Sequence, residues 1–332
     1  MRIIIDDYGS YIHKKGNRFI ISKESHQREF SADKVSQILV YKGAAISSAA
    51  IALAVENGID IVFFEKMGKP FARTYSCKFE NAASIRRFQI KAYDNGKGIL
   101  LITGIIKAKI RNMAVLLEIL AKDRNNSKLK EIAEKIKTLS EKLEINENIE
   151  ISRQKLLGIE GEAARQYFSA LKHVLPEEAY LGQRTRQPPQ DLFNALLGYG
   201  YGVLFTELEK ASILSGLDPY MGFLHADRVG KPSMVLDLME EWRQPVVDRS
   251  MITLVSRKVV QQDNLIRVEN GFYLDNFGKH KAVESVVTRL NNIISYNNFR
   301  HSFSSLILMQ ARGVVKFISG ETANYSPFIY GR

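Results

Sequence analysis

Near residue 84 the apolar residues change from the two-residue alternation of strands to the three-and-four spacing of helices, and they do not change back. No motif restricts the fold as much as that switch. Before it come short β-branched and aromatic runs: RIIID, two extended runs in GSYIHKKGNRFIIS around a Lys-Gly-Asn turn, and two more in REFSADKVSQILVYK. One helix interrupts them, AAISSAAIALAVENG, closed by Asn57-Gly58. DIVFFEK and KPFARTYS then read as strands, the second after a Gly68-Lys69-Pro70 turn. Beyond the switch, ASIRRFQIKAYDNGKGILLITGIIKAKIRNMAVLLEILAK reads as two helices with a break near Asn95–Gly98. SKLKEIAEKIKTLSEKLEI is an amphipathic helix with Leu129, Ile132, Ile136, Leu139 and Leu143 on one stripe. Helices are also expected in ISRQKLLGIEGEAARQYFSALKHVL, PPQDLFNALLGYGYGVLFTELEKASIL, DRSMITLVSRKVVQ, HKAVESVVTRLNNIISY and SFSSLILMQARGVVKFISG. GFYLDNFGKH has room for a turn or hairpin, and the Gly- and Pro-containing tail ETANYSPFIYGR is expected to fray. The fold class is therefore α+β: a small N-terminal mostly-β domain, residues 1–83, then a larger all-α C-terminal domain, residues 84–332.

At 332 residues the chain is long for one core, which agrees with two domains. The net charge of +11 favours a polyanionic partner, nucleic acid above all. The charge is densest in residues 81–150, with 14 Lys and Arg against 9 Asp and Glu. A solvated helix face and a phosphate-contacting surface account for that density equally well. The single cysteine, Cys77, excludes a disulfide within the chain and any cysteine zinc site, reads as a small buried apolar residue, and suits a reducing, cytoplasmic compartment. MRIIIDDYGSY meets an Asp pair too early for a signal-peptide apolar region. No apolar run reaches the ~18 residues of a membrane span; the best candidate, GILLITGIIKAKI, is broken by Lys107 and Lys109. No membrane partner is expected.

Two stretches carry candidate chemistry. In GFLHADRVGKPSMVLDLMEEWR, residues 222–243, His225 ends an apolar run. The basic turn Arg228–Lys231 follows, and then a helix with Asp237, Glu240 and Glu241. Residues three or four apart share a helix face, so Asp237 is within reach of either glutamate, and spacing does not rank the two. Histidine beside carboxylates is the raw material of a metal site; the bland alternative is a solvated acidic face. In LLGIEGEAARQYFSAL, Glu160 lies on the apolar face with Leu156, Ala163, Ala164 and Tyr167, whereas Glu162 lies among Gly158, Ile159, Arg165 and Gln166. A carboxylate on a buried face costs several kcal/mol unless it is paired, protonated or bound to metal. Glu160 therefore needs a reason, either an ion pair to Arg165 or a distant arginine, or a metal. Gly158, Gly161, Ala163 and Ala164 would let another helix approach closely. In QPPQDLFNALLGYGYGVLF the prolines open a helix, Asp191 falls in its first turn, and Asp191 and Asn194 read as structural.

Taken in order, GIEGEAARQYF, QPPQDLFNALLGYGYGVL and GFLHADRVGKPSMVLDLMEEWRQPVVDR resemble the CRISPR-associated protein 1 family, the integrase-endonuclease of spacer acquisition. The resemblance covers nearly the whole chain. It implies metal ligation of Mn²⁺ or Mg²⁺ by Glu160, His225 and Glu240, with Asp237 at an acidic position close to the metal. All four are the implied catalytic residues. It also implies homodimers formed through the N-terminal domains, pairing with CRISPR-associated protein 2, and a double-stranded DNA substrate. Arg228 and Lys231 lie beside His225 and are candidates for backbone contacts to that DNA. Two other readings stand beside it: a non-catalytic basic DNA-binding scaffold, and a metallohydrolase of small phosphoesters.

Overall fold

The structure is a computed structural model that describes residues 2–35, 37–65, 70–74, 82–143, 149–225 and 228–331. It divides into two units, residues 1–80 and residues 81–332. Cys77 and the Gly68-Lys69 part of the expected turn lie outside the described residues.

The first unit holds β1 (Arg2–Ile5), β2 (Tyr11–Lys15), β3 (Arg18–Lys23), β4 (His26–Ser31), β5 (Gln37–Tyr41), β6 (Ala45–Ile46), α1 (Ser48–Glu56), β7 (Asp60–Phe64) and β8 (Pro70–Thr74). One sheet has the order β1-β5-β7-β8 and the other β4-β3-β2-β6. β1, β5 and β7 run parallel, aligning Ile3 with Ile38 and Ile38 with Ile61, all buried. The β5–β7 crossover is α1, capped by Ser47, whose side chain accepts from Ala50 N–H, and packed through Ala50, Leu53 and Ala54. Lys15 pairs with Arg18 across the expected Lys-Gly-Asn turn, where Gly16 adopts φ +58°.

The second unit contains α2 (Ala82–Asp94), α3 (Lys97–Arg124), α4 (Ser127–Leu139), α5 (Ile149–Ala170), α6 (Leu192–Leu214), α7 (Ser233–Met239), a π-helical turn (Arg243–Asp248) and α8 (Arg249–Ser256). Then come a hairpin of β9 (Leu265–Val268) and β10 (Gly271–Leu274), α9 (Asn276–Asn291), a hairpin of β11 (Ile293–Tyr296) and β12 (Phe299–Ser302), and α10 (Phe303–Ser319). α3 is the axis of this unit. At ~1.5 Å per residue it is about 42 Å long. Buried residues occur all round it, from Ile99 and Leu101 to Leu117 and Leu120. Such a helix is enclosed by its neighbours and shows no clean stripe. It packs against α4, α5, α10 and the π-helical turn. Among the described residues no helix is long and apolar enough to cross a membrane.

Four expectations are corrected. The helix read through NNIISY stops at Asn291, because Asn297 and Asn298 both take positive φ and form a two-residue hairpin turn between Tyr296 and Phe299. α6 begins after its prolines: Asp191 is the N-cap, accepting from Asn194 N–H at 2.7 Å. Gly158 and Gly161 serve no close helix approach, since a Cβ at either would meet nothing within 4 Å. The tail does not fray. Phe328 is buried and stacks on Trp242 at 4.2 Å between ring centroids. Its aromatic residues find a core, which outweighs the local cost of its Gly and Pro.

Candidate active site

A lysine joins two acids that the sequence separates by 80 positions. Lys109 sits mid-way along α3 with its side chain only 9% exposed. Its Nζ lies 2.5 Å from Glu160 Oε1 on α5 and 2.5 Å from Glu240 Oε2 at the end of α7. Glu160 projects from the face that also presents buried Leu156, Ala163 and Tyr167, as its spacing requires. Among the described residues its partner is this lysine and not Arg165, which bonds Glu162. Glu240 is buried and is also gripped by Arg243, one helical turn on, whose Nε and Nη2 reach its two oxygens at 3.0 and 3.2 Å. Burial opposes ionisation of Glu240, but Arg243, Lys109 and His225 outweigh it and hold the carboxyl well below the usual range.

His225 meets this cluster from the other side, with Nε2 3.7 Å from Glu240 Oε1. Asp237 sets its orientation. Fully buried, Asp237 accepts from the backbone N–H groups of Phe223 (2.5 Å), Leu224 (2.9 Å) and His225 (3.0 Å), and from His225 Nδ1 at 2.8 Å. A carboxylate accepts and does not donate, so Nδ1 carries a proton, and Nε2 is the ring nitrogen that faces Glu240. The Asp237 carboxylate is taken up by the His225 loop, and the His225 ring lies between it and Glu240. Other groups fasten that loop as well. Arg153 on α5 donates to Phe223 O from Nε and Nη2, and Gln89 on α2 bonds Asp218 and Met221. Gly222 lies so close to α7 that a Cβ would come within 2.6 Å of the Ser233 carbonyl carbon.

Glu241 has other partners. It accepts from Tyr325 Oη at 2.5 Å and from Phe328 N–H at 2.8 Å. Burial pushes its carboxyl up to about 7 despite those bonds. Behind Arg243 lies a second buried acid, Asp248, which accepts from Tyr201 Oη (2.7 Å) and Tyr167 Oη (2.9 Å). The Arg243 guanidinium stacks over the Tyr201 ring at 4.7 Å. Burial pushes Asp248 up to about 6, against the two tyrosine hydrogen bonds.

The structure thus brings Glu160, His225, Asp237 and Glu240, the residues the resemblance implies, into one region, and adds Lys109, Arg243 and Asp248, which the sequence reading did not single out. Only Lys109 carried a signal, as a charge inside an otherwise apolar run. Arg228 is exposed and Lys231 half-buried, flanking Gly230 (φ +72°) in the turn after His225. Residues 226 and 227 lie outside the described residues.

Among the described residues no group of three or more His, Cys, Asp or Glu is gathered closely enough to hold a metal ion. Yet the donor set suits one. Two carboxylates and an imidazole nitrogen face one region, and the cation between the carboxylates is the chain's own ammonium.

The family model described as CRISPR associated protein Cas1 matches residues 3–287. A CRISPR-associated endonuclease Cas1 of Archaeoglobus fulgidus is 36% identical, covering 99% of each chain. Among solved structures, a casposase bound to integration product aligns with a TM-score of 0.80 at 22% identity, over all of this chain and 95% of that one. The chain of a Cas6-RT-Cas1–Cas2 complex aligns at 0.77 and 19%, over all of this chain and 36% of that one. Both show a shared fold. A polypeptide with this arrangement of α3, α5 and α7, matched by that family model over most of its length, belongs to the CRISPR-associated protein Cas1 family.

Proposed function

We propose that this chain is a divalent-cation-dependent DNA endonuclease and integrase that cuts and rejoins phosphodiester bonds as new spacers enter a CRISPR array. The observation that carries the reading is the convergence of Glu160, Glu240 and the Nε2 of His225 around a cationic point. The printed name of the Archaeoglobus relative, an endonuclease, and the integration product held by the casposase support it.

Glu160, Glu240 and His225 would hold Mn²⁺ or Mg²⁺. When bound, the ion neutralises charge on the phosphate and activates the attacking hydroxyl or water. The chain's own groups do the rest. Asp237 keeps the His225 proton on Nδ1, so Nε2 stays available. Arg243 keeps Glu240 ionised and fixed through two hydrogen bonds. Lys109 neutralises the two acids and is placed to follow the phosphate once they are engaged. In the transfer step a hydroxyl or water oxygen forms a bond to phosphorus while the bond to the leaving 3′-oxygen breaks and that oxygen takes a proton. Arg228 and Lys231 supply contacts to the DNA backbone. The assembly in this reading is a homodimer through the N-terminal unit, paired with CRISPR-associated protein 2; the Cas1–Cas2 complexes of similar fold support that partner.

Glu160→Ala and His225→Ala are expected to abolish Mn²⁺-dependent nicking and strand transfer while the dimer persists by sedimentation. Full activity in either variant refutes the reading. One observation favours a second reading, a non-catalytic DNA-binding scaffold: Lys109 already satisfies both acids as a structural ion pair. The scaffold predicts salt-sensitive DNA binding that survives both substitutions, with no cleavage by the wild type in Mn²⁺.

A further inference from the structure

We infer that the C-terminal segment Tyr325–Tyr330 is a positioning device for the acidic site, a strap that fixes the turn bearing Glu240 by gripping the two residues after it. α7 is short, ending at Met239, and Glu240, Glu241 and Trp242 form the turn that follows. Both residues after Glu240 are held by the strap. The Glu241 carboxylate accepts from Tyr325 Oη and Phe328 N–H. The Trp242 indole stacks on Phe328, with ring planes 18° apart.

The strap is anchored to the helix that carries Lys109. Asn112, three residues beyond the lysine and buried, donates from Nδ2 to Glu241 O (2.8 Å) and Phe328 O (3.1 Å), and its Oδ1 accepts from Tyr330 N–H at 2.9 Å. Gly104, on the same helix, gives Tyr325 its seat: a Cβ there would stand 3.2 Å from the tyrosine ring. Gln310 of α10 donates to Tyr325 Oη and Ser326 O. One side-chain amide thus ties α3, the Glu240 turn and the chain's last segment together. Tilting that turn would move Glu240 away from Lys109 and His225, because no residue separates Glu240 from the clamped Glu241.

The inference rests on the reading of Glu240 as a cation ligand, and the test separates the two. Full-length wild type, Tyr325→Phe, Phe328→Ala and Glu240→Gln are compared by hydrogen exchange over residues 239–243 without metal, and by calorimetric titration with Mn²⁺. Tyr325→Phe removes one hydroxyl and keeps the ring, so it answers the question even if Phe328→Ala fails to fold. The strap predicts exchange about tenfold faster across 239–243 in Tyr325→Phe, with melting of α4 and α9 amides unchanged. It also predicts a Mn²⁺ dissociation constant raised roughly tenfold, in line with loss of an outer-shell partner. Wild-type exchange across 239–243 in Tyr325→Phe overturns the strap whatever the metal does. Unaltered Mn²⁺ affinity in Glu240→Gln overturns the ligand reading alone.

Discussion

Lys109→Met tests whether the lysine is a resident counter-ion that a divalent cation must displace. The variant keeps the aliphatic stem that packs along α3 and deletes the ammonium placed 2.5 Å from both Glu160 and Glu240. Removing one partner of a buried pair costs about 3–5 kcal/mol, because the remaining charge is stranded. Two features put this case at the low end. Arg243 still holds Glu240 with two hydrogen bonds, and the Glu160 side chain is 18% exposed, so water relieves part of its charge. A loss of about 3 kcal/mol in a unit of this size lowers Tm by roughly 6–12 °C. Mn²⁺ should reverse the order of effects. In the wild type the ion competes with an ammonium already seated on its ligands. In the variant it meets two uncompensated carboxylates. A ligand at 100 times its Kd stabilises by ~2.7 kcal/mol, so tighter binding returns most of the loss. The assay is thermal unfolding of both proteins over a Mn²⁺ titration. A larger Mn²⁺-induced rise in Tm for Lys109→Met than for wild type is expected. Equal rises, or a metal-free Tm within 2 °C of wild type, would refute the counter-ion role.

Gly222→Ala forces a methyl to within 2.6 Å of backbone at Ser233, so the His225 loop must lift off α7; a loss of about 1–3 kcal/mol in urea unfolding is expected, and an unchanged midpoint would show the loop yields freely. Asp248 makes a pH-dependent contribution. Its folded value of about 6 stands above its ordinary 3.8, so between those pH values the folded chain keeps a proton that the unfolded chain has lost. Stability from this group is therefore full near pH 4, falls as pH rises to about 6, and stays low above, by on the order of 3 kcal/mol. Asp248→Asn should flatten that segment of the stability profile, and parallel wild-type and variant profiles would contradict the argument. Replacing Arg228 and Lys231 by Ala should each reduce the magnitude of the slope of log K against log salt for duplex DNA by about 0.9 if each neutralises one phosphate; slopes equal to wild type would remove both from the interface.

What could be read from the sequence depended on whether local spacing or distant packing decides. The switch near residue 84 was legible because strand and helix periods are local. So was the placement of Glu160, since one turn of α5 suffices to show that its neighbours Leu156 and Ala163 are apolar. Lys109 was legible only as an interruption. Its partners lie on two other helices, and nothing within one turn of α3 names them. The tail was misread for the same reason: Gly and Pro signal loose backbone locally, while the cavity that receives Phe328 is built from Trp242 and Phe303, far away in sequence. Asn297-Asn298 is a local signal just past the helix that the spacing extends to Tyr296: two successive residues tolerant of positive φ are a hairpin mark.

The adjacent pair Glu240-Glu241 shows where spacing stops and tertiary structure begins. On one helix the two acids are nearly equivalent to Asp237, and periodicity has nothing further to say. In the fold they take different partners: Glu240 meets Lys109 and Arg243, and Glu241 meets Tyr325 and Phe328. One carboxylate meets Lys109, Arg243 and the imidazole of His225, and stays ionised. The other meets neutral donors, a phenol and a backbone amide, and burial raises its proton affinity. Charge environment separates what spacing left open: the acid among cationic side chains stays ionised, the state a cation ligand needs, and the acid among neutral donors holds structure. Exchanging the two environments would require moving α3 relative to the C-terminal strap, and Asn112 of α3 bonds that strap and Glu241 O.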